Sequence, residues 1–233
     1  MRTTTEHLRL PAPGTVVDGV SAVVHRPSRA TSPAVFLVPG AGGDLNGAGL
    51  TALAQALASR GHLAVRANLP YRESGRNTPP RADRAVHDYR IVFDAARRQV
   101  GPRRPWVAGG KSYGGRVASL AAAEDLACVG LLLYGYPLHP PGRPDELRVD
   151  HWPHVRVPCC FLQGTRDTFG DPDLLAANLG KLGRRAHVEL VEGGDHSLRV
   201  AGKHAPDGVP RGPAAVLEER AGAIAQWLRG IEV

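Results

Sequence analysis

The chain has 233 residues, of which 42% are hydrophobic and 22% are charged, enough to bury one sizeable core. Glycine and proline (28 and 20 residues) follow no fixed period and cysteine occurs only three times, so disordered, collagen-like and disulfide-built proteins are not expected. The formal net charge of +7 indicates solubility and electrostatic steering, and nucleic acid is not expected as a partner because the arginines are scattered along the chain.

Short apolar runs alternate with longer segments of helical periodicity along the chain. The predicted strands cover residues 19–25, 34–38, 62–68, 106–108, 128–134, 157–163 and 187–191. The predicted helices cover residues 50–59, 83–100, 109–123, 174–182 and 214–228, and a proline- and arginine-rich loop covers 69–81. This alternation predicts one domain, residues 1–233, of the α/β class, with a mostly parallel sheet and helices on both faces.

The sequence shows no targeting or membrane signal. Residues 1–10 lack the apolar stretch of a signal peptide, and no segment approaches about 18 consecutive apolar residues. Cys128, Cys159 and Cys160 are odd in number and two of them are adjacent, which favours reduced thiols in the core. These observations predict a cytoplasmic protein without membrane contact.

Residues 110–114 read Gly-Lys-Ser-Tyr-Gly and fit the pattern G-x-S-x-G of a nucleophile elbow. In that motif the serine occupies a sharp turn between a strand and a helix, and the flanking glycines let the two elements approach closely. A strand is predicted before the motif and helix 116–123 after it, and the N-terminus of this helix favours negative charge beside the serine. The motif therefore predicts Ser112 as a nucleophile.

Two nucleotide-binding patterns come close to fitting. Lys111 and Ser112 could end a phosphate-binding loop, but the first glycine of that loop would fall at Pro105. Gly40 could begin a dinucleotide fingerprint, but its third glycine would fall at Leu45. Neither pattern competes with the nucleophile elbow.

A serine nucleophile needs a base and an acid that orients the base, and in this architecture the chain order is serine, acid, histidine. Asp167 follows a predicted strand, and His196 follows a Gly-Gly turn after the next one. Open α/β sheets place their sites at the carboxyl ends of the strands, so Ser112, Asp167 and His196 are predicted to meet there. Two nearby carboxylates, Asp171 and Asp173, are rival candidates for the acid.

The tetrahedral intermediate of acyl transfer needs backbone N–H groups directed at its oxygen. One is predicted to come from Tyr113, the residue after the nucleophile. The other is predicted to come from Ala41, in the glycine-rich loop 39–43. This oxyanion hole would use only backbone atoms.

Other polar residues have weaker interpretations. The candidate substrate-binding residues are Tyr71, Arg72, Lys111 and Tyr136. Asp150, His151 and His154 could form a metal site, but a proline between the two histidines removes the helix that would direct both rings to one ion. A surface loop is the favoured interpretation there, and no metal and no cofactor are expected.

Four segments in combination resemble the α/β-hydrolases over nearly the whole chain. They are residues 66–73 (RANLPYRE), 109–116 (GGKSYGGR), 133–139 (LYGYPLH) and 163–167 (QGTRD). The narrower resemblance is to a small α/β-hydrolase-like family, of dienelactone-hydrolase-like size, that includes a testis-expressed mammalian protein and a subunit of the non-specific-lethal chromatin complex. It implies Ser112 as nucleophile, Asp167 as acid and His196 as base. Such proteins often carry His-Gly where this chain has Pro39-Gly40.

The predicted function is that of a serine hydrolase acting on small or exposed carboxylic esters or thioesters, without a large lid domain. The two proline-rich loops, 70–81 and 137–158, are expected to frame an open site. The alternatives are a peptidase of the same fold, a non-catalytic interaction protein, since the family includes scaffolds, and a polyanion binder. The sequence predicts a small acyl substrate and leaves the oligomeric state open.

Overall fold

The computed structural model describes residues 1–182, 184 and 186–231. The strands are β1 (Thr3–Pro11), β2 (Gly19–Pro27), β3 (Thr31–Val38), β4 (His62–Ala67), β5 (Trp106–Lys111), β6 (Gly130–Tyr134), β7 (Cys159–Gly164) and β8 (Ala186–Val191). In these residues they form one eight-stranded sheet with the order β1-β2-β4-β3-β5-β6-β7-β8. β2 pairs antiparallel with β1 and β4, and all other pairs are parallel.

Helices cover both faces of the sheet. They are α1 (Ala48–Ser59), α2 (Pro70–Glu73), α3 (Val86–Val100), α4 (Tyr113–Ala123), α5 (Pro172–Asn178) and α6 (Pro213–Arg229). Short 3-10 helices lie at Ala82–Ala85, Trp152–His154, Leu179–Lys181 and Gly202–His204. α1 and α6 pack together on one face of the sheet, and α3 and α4 cover the other.

The alternation of side chains along the central strand β3 explains the two-sided core. Phe36 points into the cluster under α3 and α4, whereas Val35 and Leu37 point into the cluster under α1 and α6. Because a parallel sheet with helices on both faces buries both sides of each strand, the central strands are nearly continuous apolar runs. The predicted α/β class, with a mostly parallel sheet between helical layers, is confirmed.

The three cysteines are free thiols, as expected. Cys159 and Cys160 are buried neighbours in β7 whose side chains enter opposite clusters of the core. In the described part of the chain, no helix is both long and apolar enough to cross a membrane.

The structure differs from several of the predicted helices, strands and loops. β1 was not predicted, because its residues are mostly exposed and polar. Gly109–Lys111 was predicted to begin a helix but completes β5, where Gly110 pairs with Val38. The loop predicted at 69–81 contains helix α2, and the helix predicted from residue 83 begins as a 3-10 turn, Ala82–Ala85.

Candidate active site

Ser112 lies in the turn between β5 and α4, with φ 49° and ψ −113°. A positive φ is strained for a residue with a side chain, and such strain is characteristic of functional turns. A Cβ atom added at Gly110 or Gly114 would lie 2.6 Å from the carbonyl oxygen of Val38. Both glycines are therefore required for the elbow to pass this close to β3.

A continuous chain of hydrogen bonds joins Ser112, His196 and Asp167. Ser112 Oγ lies 2.8 Å from His196 Nε2, and His196 Nδ1 lies 2.8 and 2.9 Å from the two carboxylate oxygens of Asp167. The three residues follow β5, β8 and β7, at the carboxyl ends of parallel strands. If His196 Nδ1–H donates to Asp167, Nε2 is free to accept the serine proton. The structure thus brings the three predicted residues together.

The two rival carboxylates lie at the start of α5. Asp171 caps α5 by accepting hydrogen bonds from the backbone N–H groups of Asp173 and Leu174. The side chain of Asp173 is in the first turn of the same helix. Asp195, beside His196, accepts hydrogen bonds from the backbone of the loop that carries the histidine.

The Asp167 side chain is fully buried. Besides His196, it accepts hydrogen bonds from the side-chain amide of Gln163 at 2.7 Å and from the backbone N–H of Phe169 at 2.9 Å. The Phe169 ring lies 4.6 Å from the imidazole ring of His196, centroid to centroid. Gln163 received no role in the sequence analysis. The available signal was a single polar residue near the end of an otherwise apolar buried strand.

The two predicted oxyanion donors flank the serine. Tyr113 is the first residue of α4, and Ala41 lies in the loop after β3. A Cβ added at the neighbouring Gly40 would come within 3.4 Å of Ser112 Cβ, so this loop lies directly against Ser112. Among the described residues, neither N–H group has a hydrogen-bond acceptor. Both residues line the same cavity as Ser112.

This cavity has a volume of about 920 Å³, and Ser112 and His196 lie in its wall. Pro79 and Pro80 contribute one side of the wall, and residues from Pro137 to Arg148 contribute another. The two proline-rich loops expected to frame the site therefore do so.

Of the four candidate substrate-binding residues, only Lys111 lines this cavity. Its Nζ lies 3.0 Å from Ser197 Oγ, and burial lowers the pKa of Lys111. Tyr71 is buried with its ring 6.0 Å from that of Tyr113, centroid to centroid. Burial raises the pKa of Tyr71.

The other two candidates also have protein partners. Tyr136 is buried, and its hydroxyl donates to the carbonyl of Arg148. Arg72 pairs with Asp44 at 3.8 Å and bonds Asn77. Tyr71, Arg72 and Tyr136 pack within the protein or contact neighbouring loops and do not line the cavity beside Ser112, and their contact with substrate stays a prediction.

The two histidines of the weaker metal hypothesis have different surroundings. His151 Nε2 lies 2.8 Å from Ser119 Oγ, and burial, followed by the charge of Arg116, lowers the pKa of His151 to about 4. His154 is exposed. Within residues 1–182, 184 and 186–231 no three potential metal-ligating side chains gather at one point.

A family model described as an alpha/beta hydrolase domain matches residues 31–227. A serine hydrolase homologue from Coxiella burnetii has 16% identity and a TM-score of 0.73, covering 98% of this chain and 99% of its own. A serine hydrolase without a lid from Xanthomonas campestris has 21% identity and a TM-score of 0.72, and the match covers 100% of this chain and 99% of the other. Dienelactone hydrolase from Anabaena variabilis has 17% identity and a TM-score of 0.73, with full coverage of both chains. The structural matches confirm the expected fold.

Proposed function

The chain belongs to the family of alpha/beta hydrolase domains, and we propose that it is a serine hydrolase of small or exposed carboxylic esters or thioesters. The observation that carries this proposal is the Ser112–His196–Asp167 hydrogen-bond chain, open to a cavity between two loops. The similarity to dienelactone hydrolase supports an ester substrate over a peptide, because a lactone is a cyclic ester.

In the proposed reaction, Ser112 Oγ attacks the acyl carbonyl carbon while His196 Nε2 takes the proton of the serine hydroxyl. The backbone N–H groups of Ala41 and Tyr113 stabilise the negative oxygen of the tetrahedral intermediate. The bond to the leaving alcohol or thiol then breaks, and the leaving group takes the proton from His196. Water, deprotonated by His196, attacks the acyl-enzyme and releases the acid and free Ser112.

Single substitutions in the triad test this mechanism with a panel of short p-nitrophenyl esters and thioesters. We expect Ser112→Ala and His196→Ala to abolish turnover, and Asp167→Asn to lower kcat by roughly 10⁴-fold, because the imidazole loses its orienting partner. Circular dichroism checks that each variant is folded.

Asp171→Asn is the matched control, since it makes the same change at the rival carboxylate. An asparagine still caps a helix, so turnover by Asp171→Asn should stay within about twofold of wild type. Unchanged turnover by Ser112→Ala would contradict the mechanism. Absence of turnover in the wild-type protein across the whole panel would instead favour a non-catalytic interaction protein.

A further inference from the structure

The cavity beside Ser112 is strongly basic. It is lined by five basic side chains, Arg81, Lys111, Arg116, Arg143 and Arg148, and by two carboxylates, Asp83 and Glu146. Each carboxylate is already engaged, Asp83 by Arg81 at 3.4 Å and Glu146 by Arg143 at 3.0 Å. Within each of these two exposed pairs the opposite charges offset each other, so the net positive charge of the wall comes from Lys111, Arg116 and Arg148.

Arg116 and Arg148 are the two arginines of the wall without such a partner. Within the described residues, no carboxylate oxygen lies within 4.0 Å of either guanidinium group. Arg116 Nε is buried and has no hydrogen-bond acceptor there. A buried donor without an acceptor is unfavourable, and an individual case needs an explanation.

The charge of Arg116 also acts on the guanidinium group of Arg148. Burial, followed by the nearby charge of Arg116, lowers the pKa of Arg148. Two like charges held together in a partly buried site repel each other, and an anion that touches both would remove this repulsion.

The backbone holds both arginines in place. Ser119 Oγ donates to the carbonyl of Arg116 at 2.8 Å, and the Tyr136 hydroxyl donates to the carbonyl of Arg148 at 3.1 Å. The two hydroxyl groups lie 3.3 Å apart. Arg116 is one helical turn beyond the nucleophile, with its N–H bonded to the carbonyl of Ser112 at 3.0 Å. The backbones of both arginines are thus held close to Ser112 in the fold.

We propose that Arg116 and Arg148 form an oxyanion-binding subsite, so that the preferred substrates are esters carrying a second anionic group, a carboxylate or a phosphate. Planar guanidinium groups bind either group through paired hydrogen bonds. This inference rests on the proposed hydrolase function, because the anion would place the scissile carbonyl at Ser112.

The test compares two esters with the same leaving group and acyl-chain length, p-nitrophenyl hemiglutarate and p-nitrophenyl pentanoate. We expect wild type to have the higher kcat/KM for the hemiglutarate, and Arg148→Gln and Arg116→Gln each to lower that preference about 10- to 100-fold. Arg81→Gln is the control: it removes the same charge from the same cavity, at a side chain that is 79% exposed and paired with Asp83. The preference of Arg81→Gln for the hemiglutarate over the pentanoate should match that of wild type.

Calorimetry on Ser112→Ala separates the subsite from the hydrolase function, with glutarate and inorganic phosphate as probes. The subsite is supported if Ser112→Ala binds either anion and the double variant Ser112→Ala/Arg148→Gln does not. The anion that binds more tightly then identifies whether the subsite prefers a carboxylate or a phosphate. The proposed subsite would be overturned if Ser112→Ala bound neither anion at millimolar concentration. It would also be overturned if both arginine variants kept the wild-type preference for the hemiglutarate. Ester hydrolysis that persists in Ser112→Ala would instead overturn the proposed function, and the calorimetric result would still decide the subsite.

Discussion

Gln163 connects the acid of the triad to the neighbouring loop. Its side-chain nitrogen donates to Asp167 and to the carbonyl of Gly170, and its side-chain oxygen accepts from the backbone N–H of Tyr136 at 2.9 Å. A buried carboxylate is stable only when its oxygens are hydrogen-bonded. In the proposed mechanism, Gln163 is therefore a positioning residue, which fixes the direction in which Asp167 faces His196.

Replacing Gln163 with leucine should lower kcat for a short ester roughly 10- to 100-fold while KM changes less than about threefold, because a hydrogen bond to a charged group is lost without altering the cavity wall. Steady-state kinetics measure the two constants separately, and urea unfolding measures stability.

Asn178→Leu is the matched control for Gln163→Leu. It also replaces a buried amide, but one whose side chain, among the residues that the structure describes, bonds only the carbonyl of Leu174 in α5. We expect a comparable loss of stability and no comparable loss of kcat. Equal kcat losses in the two variants would show that Gln163 acts through stability alone.

Among the elements, those with apolar periodicity were predictable and those defined by tertiary contacts were not. β3 and β7 are continuous buried runs, and α6 carries a regular apolar stripe, so each could be found from local pattern. β1 pairs with β2 along its whole length, but its exposed face gives no alternation to detect. Gly109 and Gly110 were predicted to begin a helix, and their pairing with β3 and β6 makes them strand residues.

The loop between β6 and β7 is tied to α4 by the contact between His151 and Ser119. The pKa of His151 is lowered from 6.5 to about 4, chiefly by burial, so the folded protein keeps this imidazole neutral. As the pH falls below 6.5, the unfolded chain takes up a proton at His151 that the folded protein does not. His151 therefore lowers the stability of the fold between about pH 6.5 and 4.

At pH 5 this proton uptake should reduce the free energy of unfolding by about 2 kcal/mol relative to pH 7. Urea unfolding at both pH values measures this difference. The free energy of unfolding of His151→Asn should fall between pH 7 and pH 5 by about that amount less than that of wild type. His154→Asn changes an exposed histidine three residues away and should keep the wild-type dependence. Identical pH dependence in wild type and His151→Asn would contradict the assignment.

At the scale of the whole molecule, chain order and sheet topology together made the juxtaposition of Ser112, His196 and Asp167 predictable. The motif located Ser112, and the rule that strand ends share one edge placed Asp167 and His196 beside it. The wall of the cavity was not predictable in the same way. Arg116 and Arg148 are 32 residues apart in sequence, and among the described residues they differ from the other arginines of the cavity wall in having no ion pair with a carboxylate.

The central claim is that Ser112 is an activated nucleophile in an accessible cavity. The most direct measurement is labelling of the purified protein with a fluorophosphonate probe, with mass spectrometry to locate the adduct and Ser112→Ala as the control. We predict one adduct, on Ser112, that is absent from Ser112→Ala and greatly reduced in His196→Ala. A folded wild-type protein that forms no adduct, or one whose labelling persists in Ser112→Ala, would contradict the claim.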